Sequence, residues 1–175
     1  MIYKEKQRFS RPLLWFPLII SGTVVNGIFG IACYKQIILG QQFGNHPLSN
    51  TALIIAGSLV LLIFILLSLL LGLGNLTTLI DENEINLRFF PFHVSFKKYP
   101  WSAVERVEIV SYHPVADFGG WGIRSGKKGK AYNVSGNKGL DIYFKNGKRL
   151  LIGTQNHIAL TDFLNKIKAD NFHSC

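Results

Sequence analysis

No charged side chain occurs between Arg11 and Lys35, and none between Lys35 and Asp81. After Asp81, charges recur every few residues. The rest of the chain is too short to cover two long apolar helices, so these gaps argue against one soluble domain and for a membrane half followed by a soluble half. Cysteine is almost as scarce. Cys33 and Cys175 are the only two, which excludes a disulfide framework and suits a reducing compartment for the soluble part. Signatures of chemistry are missing too. The five histidines (His46, His93, His113, His157 and His173) are scattered, with no HExxH, no cysteine pair at zinc spacing and no G-x-S-x-G elbow. Asp81, Glu82 and Glu84 cluster only as solvated acids at a strand entrance. The expectation is a protein without catalytic residues, metal or cofactor.

What is present begins with two apolar runs. Residues 12–34, bracketed by Arg11 and Lys35, and residues 51–74, with VLLIFILLSLLLGL at their heart, each meet the roughly 20 residues that a bilayer core requires. Trp15 and Tyr34 stand near the ends of the first run, where amphipathic rings favour the headgroups. That run exceeds the apolar stretch of a secretory signal, and a second follows at once, so it is expected to be retained. Lys4, Lys6, Arg8 and Arg11 make residues 1–11 a basic N-terminus. The connector 35–50 holds only Lys35, and Arg88, Lys97 and Lys98 follow the second run. This asymmetry places both termini in the cytoplasm and the connector outside, so the sequons at Asn75 and Asn133 are such in spelling only. Gly22, Asn26 and Gly30 recur at a spacing of four on one helical face. They serve either helix packing, against Gly57, Ser68 or Gly72, or a polar site within the membrane; packing is the plainer alternative.

Residues 75–170 change period. Ile85, Leu87 and Phe89 alternate with polar neighbours, as do Val94 and Phe96, Val107 and Ile109, and Leu140, Ile142 and Phe144, the pattern of half-buried antiparallel strands. Asn146-Gly147 reads as a type I′ hairpin turn. Asn156 can cap a helix over 157–168 that presents Leu160, Phe163, Leu164 and Ile167 on one face, and residues 171–175 form a tail. Six or seven strands and one amphipathic helix fit a curled sheet or small barrel with the helix in one open end.

FGGWGIR from Phe118 and AYNVSGNKGLDIYFKNGKRLLIGTQ from Ala131 resemble bacterial membrane proteins that carry a pleckstrin-homology-like domain after two N-terminal spans. EKQRF, TLIDENEINLRF and YPWSAVERVEIV fit as well, so the resemblance covers essentially the whole chain. It implies a bacterial cytoplasmic membrane, a barrel of about seven antiparallel strands closed by a C-terminal helix, and no catalytic residue. The charged insert SGKKGK departs from it.

That insert supplies the candidate site. Arg124, Lys127, Lys128 and Lys130 place four cations in seven residues, with Trp121 close by. Trp121 stands where a P-loop needs its first glycine and Lys128 where it needs Ser or Thr, so the segment is no P-loop. It is either a solvated loop or a contact for anionic headgroups, since only a few residues separate the second run from the first strand. Gly119, Gly120, Trp121 and Gly122 form either a lip over a pocket or a structural bulge. Asp117 and Arg124 are placed to pair across that stretch. Gly153, Thr154 and Gln155 serve chain reversal or an anion at a helix start. A pI near 9.7 raises nucleic acid as a partner, but the N-terminal cations are already explained by topology and no basic-aromatic motif accompanies the rest. The partners expected are membrane lipids, with a membrane protein or a second copy besides. The function expected is a membrane-anchored binding or scaffolding module; the alternative is an accessory subunit that contacts a membrane enzyme or transporter through its spans.

Overall fold

The computed structural model describes residues 1–9, 12–126 and 128–172. The two uncharged runs form helices α1 (Pro12–Cys33), prolonged by a π-helical turn over Tyr34–Ile38, and α2 (Asn50–Leu73). Both are long and apolar enough to cross a membrane. Pro12 takes the first helical position, where its missing N–H costs nothing. Ser49 caps α2 by accepting the Ala52 amide at 3.2 Å, and Gln36 ties the connector down through the Leu48 carbonyl at 2.6 Å. Gly22 and Gly57 leave room for rings of the facing helix. A Cβ at Gly22 would lie 3.0 Å from Phe64, and one at Gly57 would lie 3.3 Å from Phe29.

The remaining elements form a second unit of two sheets and two helices. Sheet A runs β1 (Tyr3–Arg8), β2 (Asn75–Ile80), β3 (Glu84–Phe90) and β4 (Lys97–Pro100), all antiparallel and in that order. Its first strand comes from before the helices: Tyr3 pairs with Ile80 and Arg8 with Asn75. The basic N-terminus, expected to stand apart from the β domain of residues 75–170, therefore supplies its first strand. Its inward residues Tyr3 and Gln7 are buried, while Lys4, Lys6 and Arg8 alternate outward.

Sheet B runs β5 (Val104–Ser111), β8 (Lys138–Phe144), β9 (Arg149–Thr154), β7 (Gly129–Asn133) and β6 (Gly122–Gly126). β7 and β9 are parallel, Lys130 opposite Leu150. The described residues thus form nine strands, not all antiparallel, and no backbone ladder joins the sheets into a closed barrel. Side chains bridge the gap instead. Gln7 donates to the Gly153 carbonyl at 2.6 Å, and Glu5 accepts from the Thr154 hydroxyl and the Gln155 amide, both at 2.7 Å.

The core lies between the sheets. Leu76, Ile85, Leu87 and Phe89 face Tyr132, Leu140, Ile142 and Ile152, and helix α4 (His157–Phe172) adds Leu160, Phe163, Leu164 and Ile167. Asn156 accepts the Ala159 amide at its start. A short helix, α3 (Pro114–Phe118), ends on Gly119 at φ 72°, the left-handed closure that glycine permits.

Two further expectations are corrected. Val94 and Phe96 do not form a strand: β3 stops at Phe90, the His93 amide turns back to the Phe89 carbonyl at 2.8 Å, and pairing resumes only at Lys97. The Asn146-Gly147 hairpin exists but is not type I′. Only Gly147 has positive φ, 77°. Its amide bonds the Phe144 carbonyl and the Phe144 amide bonds the Lys148 carbonyl, each at 2.9 Å. This is a three-residue loop closed by a single left-handed glycine.

Candidate functional site

Two hairpins of sheet B and the edge of sheet A enclose a cleft of about 770 Å³, within the range of small-ligand sites. Lys128 and Lys130 enter from the β6–β7 hairpin, Lys148 and Arg149 from the start of β9, and Tyr99 from β4; Phe144 and Leu150 line its apolar side. No carboxylate is among its lining residues. The hairpins meet tightly because Gly129, at φ 98°, has no side chain: a Cβ there would lie 2.5 Å from the Arg149 carbonyl oxygen.

The four cations differ in what holds them. Arg149 forks onto Asp141, Nε to Oδ1 at 2.9 Å and Nη2 to Oδ2 at 2.5 Å, and the Tyr143 hydroxyl donates to the same carboxylate at 3.0 Å. Asp141 is 0% exposed. The bond to Asp141 raises the guanidinium pKa against the opposing effect of burial. Lys128 reaches Asp117 at 2.7 Å. That bond, and then the amide of His113, holds the Asp117 carboxyl below its ordinary range. Lys130 and Lys148 have no acidic partner among the described residues. They are the ammoniums left for an incoming anion. Burial, and then the neighbouring Tyr132, raises the pKa of Tyr99, so its hydroxyl stays a neutral donor.

Beside the cleft, Lys97 donates to the hydroxyl of Tyr132 at 3.1 Å, and the His93 ring lies 5.5 Å from that of Tyr132. Nδ1 of His93 is buried without a hydrogen-bond partner. Burial, then Lys97 and Lys130, lowers the His93 pKa from 6.5.

Of the residues singled out by sequence, Lys128 and Lys130 come together in the cleft, and Lys127 lies outside the described residues. Arg124 and Trp121 do not join them. The Arg124 Nε donates to the Trp121 carbonyl at 3.0 Å, and the indole N–H reaches the Gly136 carbonyl at 3.4 Å. Asp117 takes Lys128 rather than Arg124. Gly119 closes α3, and the Gly122 amide donates to Asn133 Oδ1 at 2.9 Å, so this stretch is spent on chain geometry. Lys148, Arg149, Tyr99 and Phe144 were missed. The signal for the first two was in plain view, since Lys148-Arg149 directly follow the Asn-Gly turn.

In the helices, Gly22 packs on Phe64, whereas Gly30 faces open space. Asn26 donates to the Gly22 carbonyl of its own helix at 2.8 Å rather than across the pair. Among the described residues no three of His, Cys, Asp and Glu gather as a metal-binding set. No protein-family model matches the chain, and no curated protein matches it.

Proposed function

We propose that the protein is a membrane-anchored, non-enzymatic binding module that takes an anionic ligand, a lipid headgroup or an acidic protein segment, in the cleft of Lys128, Lys130, Lys148 and Arg149. The observation that carries this is the cleft itself: four cations, two of them without an acidic partner, and no carboxylate in the lining. Such a site attracts anions and discriminates by charge more than by shape.

Anchoring is supported by the large apolar side chains that the helices leave uncovered on several faces, among them Ile19, Val24, Ile28, Leu59, Leu62 and Leu66. Water penalises such a surface and lipid does not. Adjacent strands lie about 5 Å apart, and Arg8 and Asn75 are register partners. The segment between them therefore leaves and returns on one side of any bilayer it enters, which requires an even number of crossings. With the lysine and arginine asymmetry, this favours two spans and cytoplasmic termini in a bacterial inner membrane. Two sheets around one core, with a C-terminal helix packed against that core, also favour a pleckstrin-homology-like domain.

The alternative, an accessory subunit acting through its spans, has less support. Asn26 is satisfied within its own helix, and Gly22 and Gly57 are filled by the facing helix.

The test uses the full chain in nanodiscs of phosphatidylcholine, titrated with pyrophosphate and with an acidic peptide. Binding is expected to weaken as salt rises. Changing Lys130 and Lys148 together to Gln should cost about tenfold, roughly 0.7 kcal/mol for each exposed charge contact. Equal binding by wild type and the double variant overturns the assignment.

A further inference from the structure

The loop that replaces the expected Val94–Phe96 strand presents the most exposed large apolar side chain of the described residues. Val94 is 81% exposed and Phe92 is 61% exposed. On the rest of the β unit, Val115, Ile123 and Ile158 stand singly, and Met1 and Ile2 sit at the chain terminus. Isolated apolar residues are ordinary on a protein surface, whereas two large ones on one loop tip need a reason.

Register supplies the reason. Sheet A has a row of partners Arg8, Asn75 and Phe90. Arg8 ends the strand that precedes α1, Asn75 begins the strand that follows α2, and Phe90 ends β3. The loop carrying Phe92 and Val94 thus springs from the end of the sheet where the chain departs for the helices and comes back. Two rows further in, on the same face of the sheet, stand Lys6, Thr77 and Arg88, and residues 89–98 contain Lys97 and Lys98 but no acid. Apolar side chains at a tip with cations behind them are the composition of a segment that lies in the headgroup and upper acyl region. The loop is also held in place. Phe92 packs its ring 6.1 Å from buried Phe89, and the Arg88 guanidinium stacks over the Phe96 ring at 4.8 Å.

We infer that the β3–β4 loop, through Phe92 and Val94, inserts into the surface of the bilayer that anchors the protein and forms a third membrane attachment beside the two helices. This rests on the membrane reading above and adds to it a contact made by the β unit. The ligand is the lipid interface: apolar acyl carbons for the two side chains and anionic headgroups for Arg88 and Lys97, whose ammonium spends one donor on Tyr132, while Lys98 is held by Glu84 at 3.0 Å.

The experiment uses the full chain in nanodiscs of phosphatidylcholine and phosphatidylglycerol, with Cys33 and Cys175 changed to Ser. One cysteine is introduced at a time, as Val94→Cys, Leu62→Cys in α2 or Asn83→Cys in the β2–β3 turn at the far end of sheet A, and each carries an environment-sensitive fluorophore. Val94 is so exposed that labelling it removes no packing. The expected result is a blue-shifted label at position 94, quenched by spin-labelled lipid and shielded from aqueous iodide, while the label at 83 is quenched by iodide alone. A label at 94 that behaves like the one at 83, with the label at 62 quenched by lipid, overturns the inference and leaves the spans standing. An iodide-accessible label at 62 overturns both.

Discussion

Burial withdraws His93 from water, Lys97 and Lys130 make its neighbourhood positive, and the buried Nδ1 has no hydrogen-bond partner to offset them. The protonated imidazolium is therefore disfavoured in the folded state relative to the unfolded chain. A base with a lowered folded pKa binds fewer protons than its unfolded counterpart just below the ordinary value. Stability is then complete above 6.5 and is lost as pH falls below it. Melting temperatures of the full chain in detergent, taken from neutral pH to about 5, should fall more steeply for wild type than for His93→Gln. Parallel curves would show that His93 is solvated in both states. The same positive surroundings make the histidine a reporter, because an anion docked on Lys130 must raise its pKa.

At the scale of elements, the β8–β9 hairpin depends on one residue. Gly147 carries φ 77° with open space about its Cβ position, so a larger side chain there meets backbone strain and no clash. Gly147→Val is expected to lower stability by roughly 1–3 kcal/mol and to loosen Lys148 in the cleft; an unchanged thermal midpoint would contradict the loop geometry. The hairpin was legible in the sequence because Asn-Gly between alternating strands is a local signal. The turn type was not, because a three-residue and a two-residue loop share the same dipeptide. Both apolar helices were legible from the missing charges, and α4 from the spacing of Leu160, Phe163, Leu164 and Ile167. β1 was hidden because its inward positions Glu5 and Gln7 are polar; their partners Gly153, Thr154 and Gln155 lie far along the chain. The parallel pairing of β7 with β9 is likewise non-local. Val94 and Phe96 misled because alternation records which side chains are apolar and says nothing of what covers them. Half of the cleft was visible as a run of lysines, while the other half needed the fold to bring Lys148 and Arg149 beside it.

For the molecule as a whole, the β unit is assembled from two distant pieces of chain. A fragment beginning at Asn75 lacks β1. It loses the burial of Tyr3, worth about 2 kcal/mol, and the three hydrogen bonds by which Glu5 and Gln7 hold Gly153, Thr154 and Gln155, about 1 kcal/mol each. Set against a total of about 5–15 kcal/mol for a domain, that fragment should unfold without a sharp transition. Joining Arg8 to Asn75 through an Asn-Gly turn in place of the helices should restore a cooperative melt by circular dichroism, since the two residues are already register partners. Failure of the joined protein with success of the short fragment would show that β1 is dispensable.

The pairing of β1 with β2 has a further consequence for how the molecule is made. β1 is synthesised before α1 and α2 and its partner β2 after them, so Tyr3–Arg8 must wait unpaired until both helices have been made. If both helices cross a membrane, as proposed above, a nascent chain that inserts only one of them leaves the two strands on opposite faces. Sheet A then lacks its first strand, Tyr3 stays in water, and the Glu5 carboxylate never meets Thr154. On that reading, completion of sheet A is conditional on correct insertion, and a misinserted chain carries an incomplete sheet.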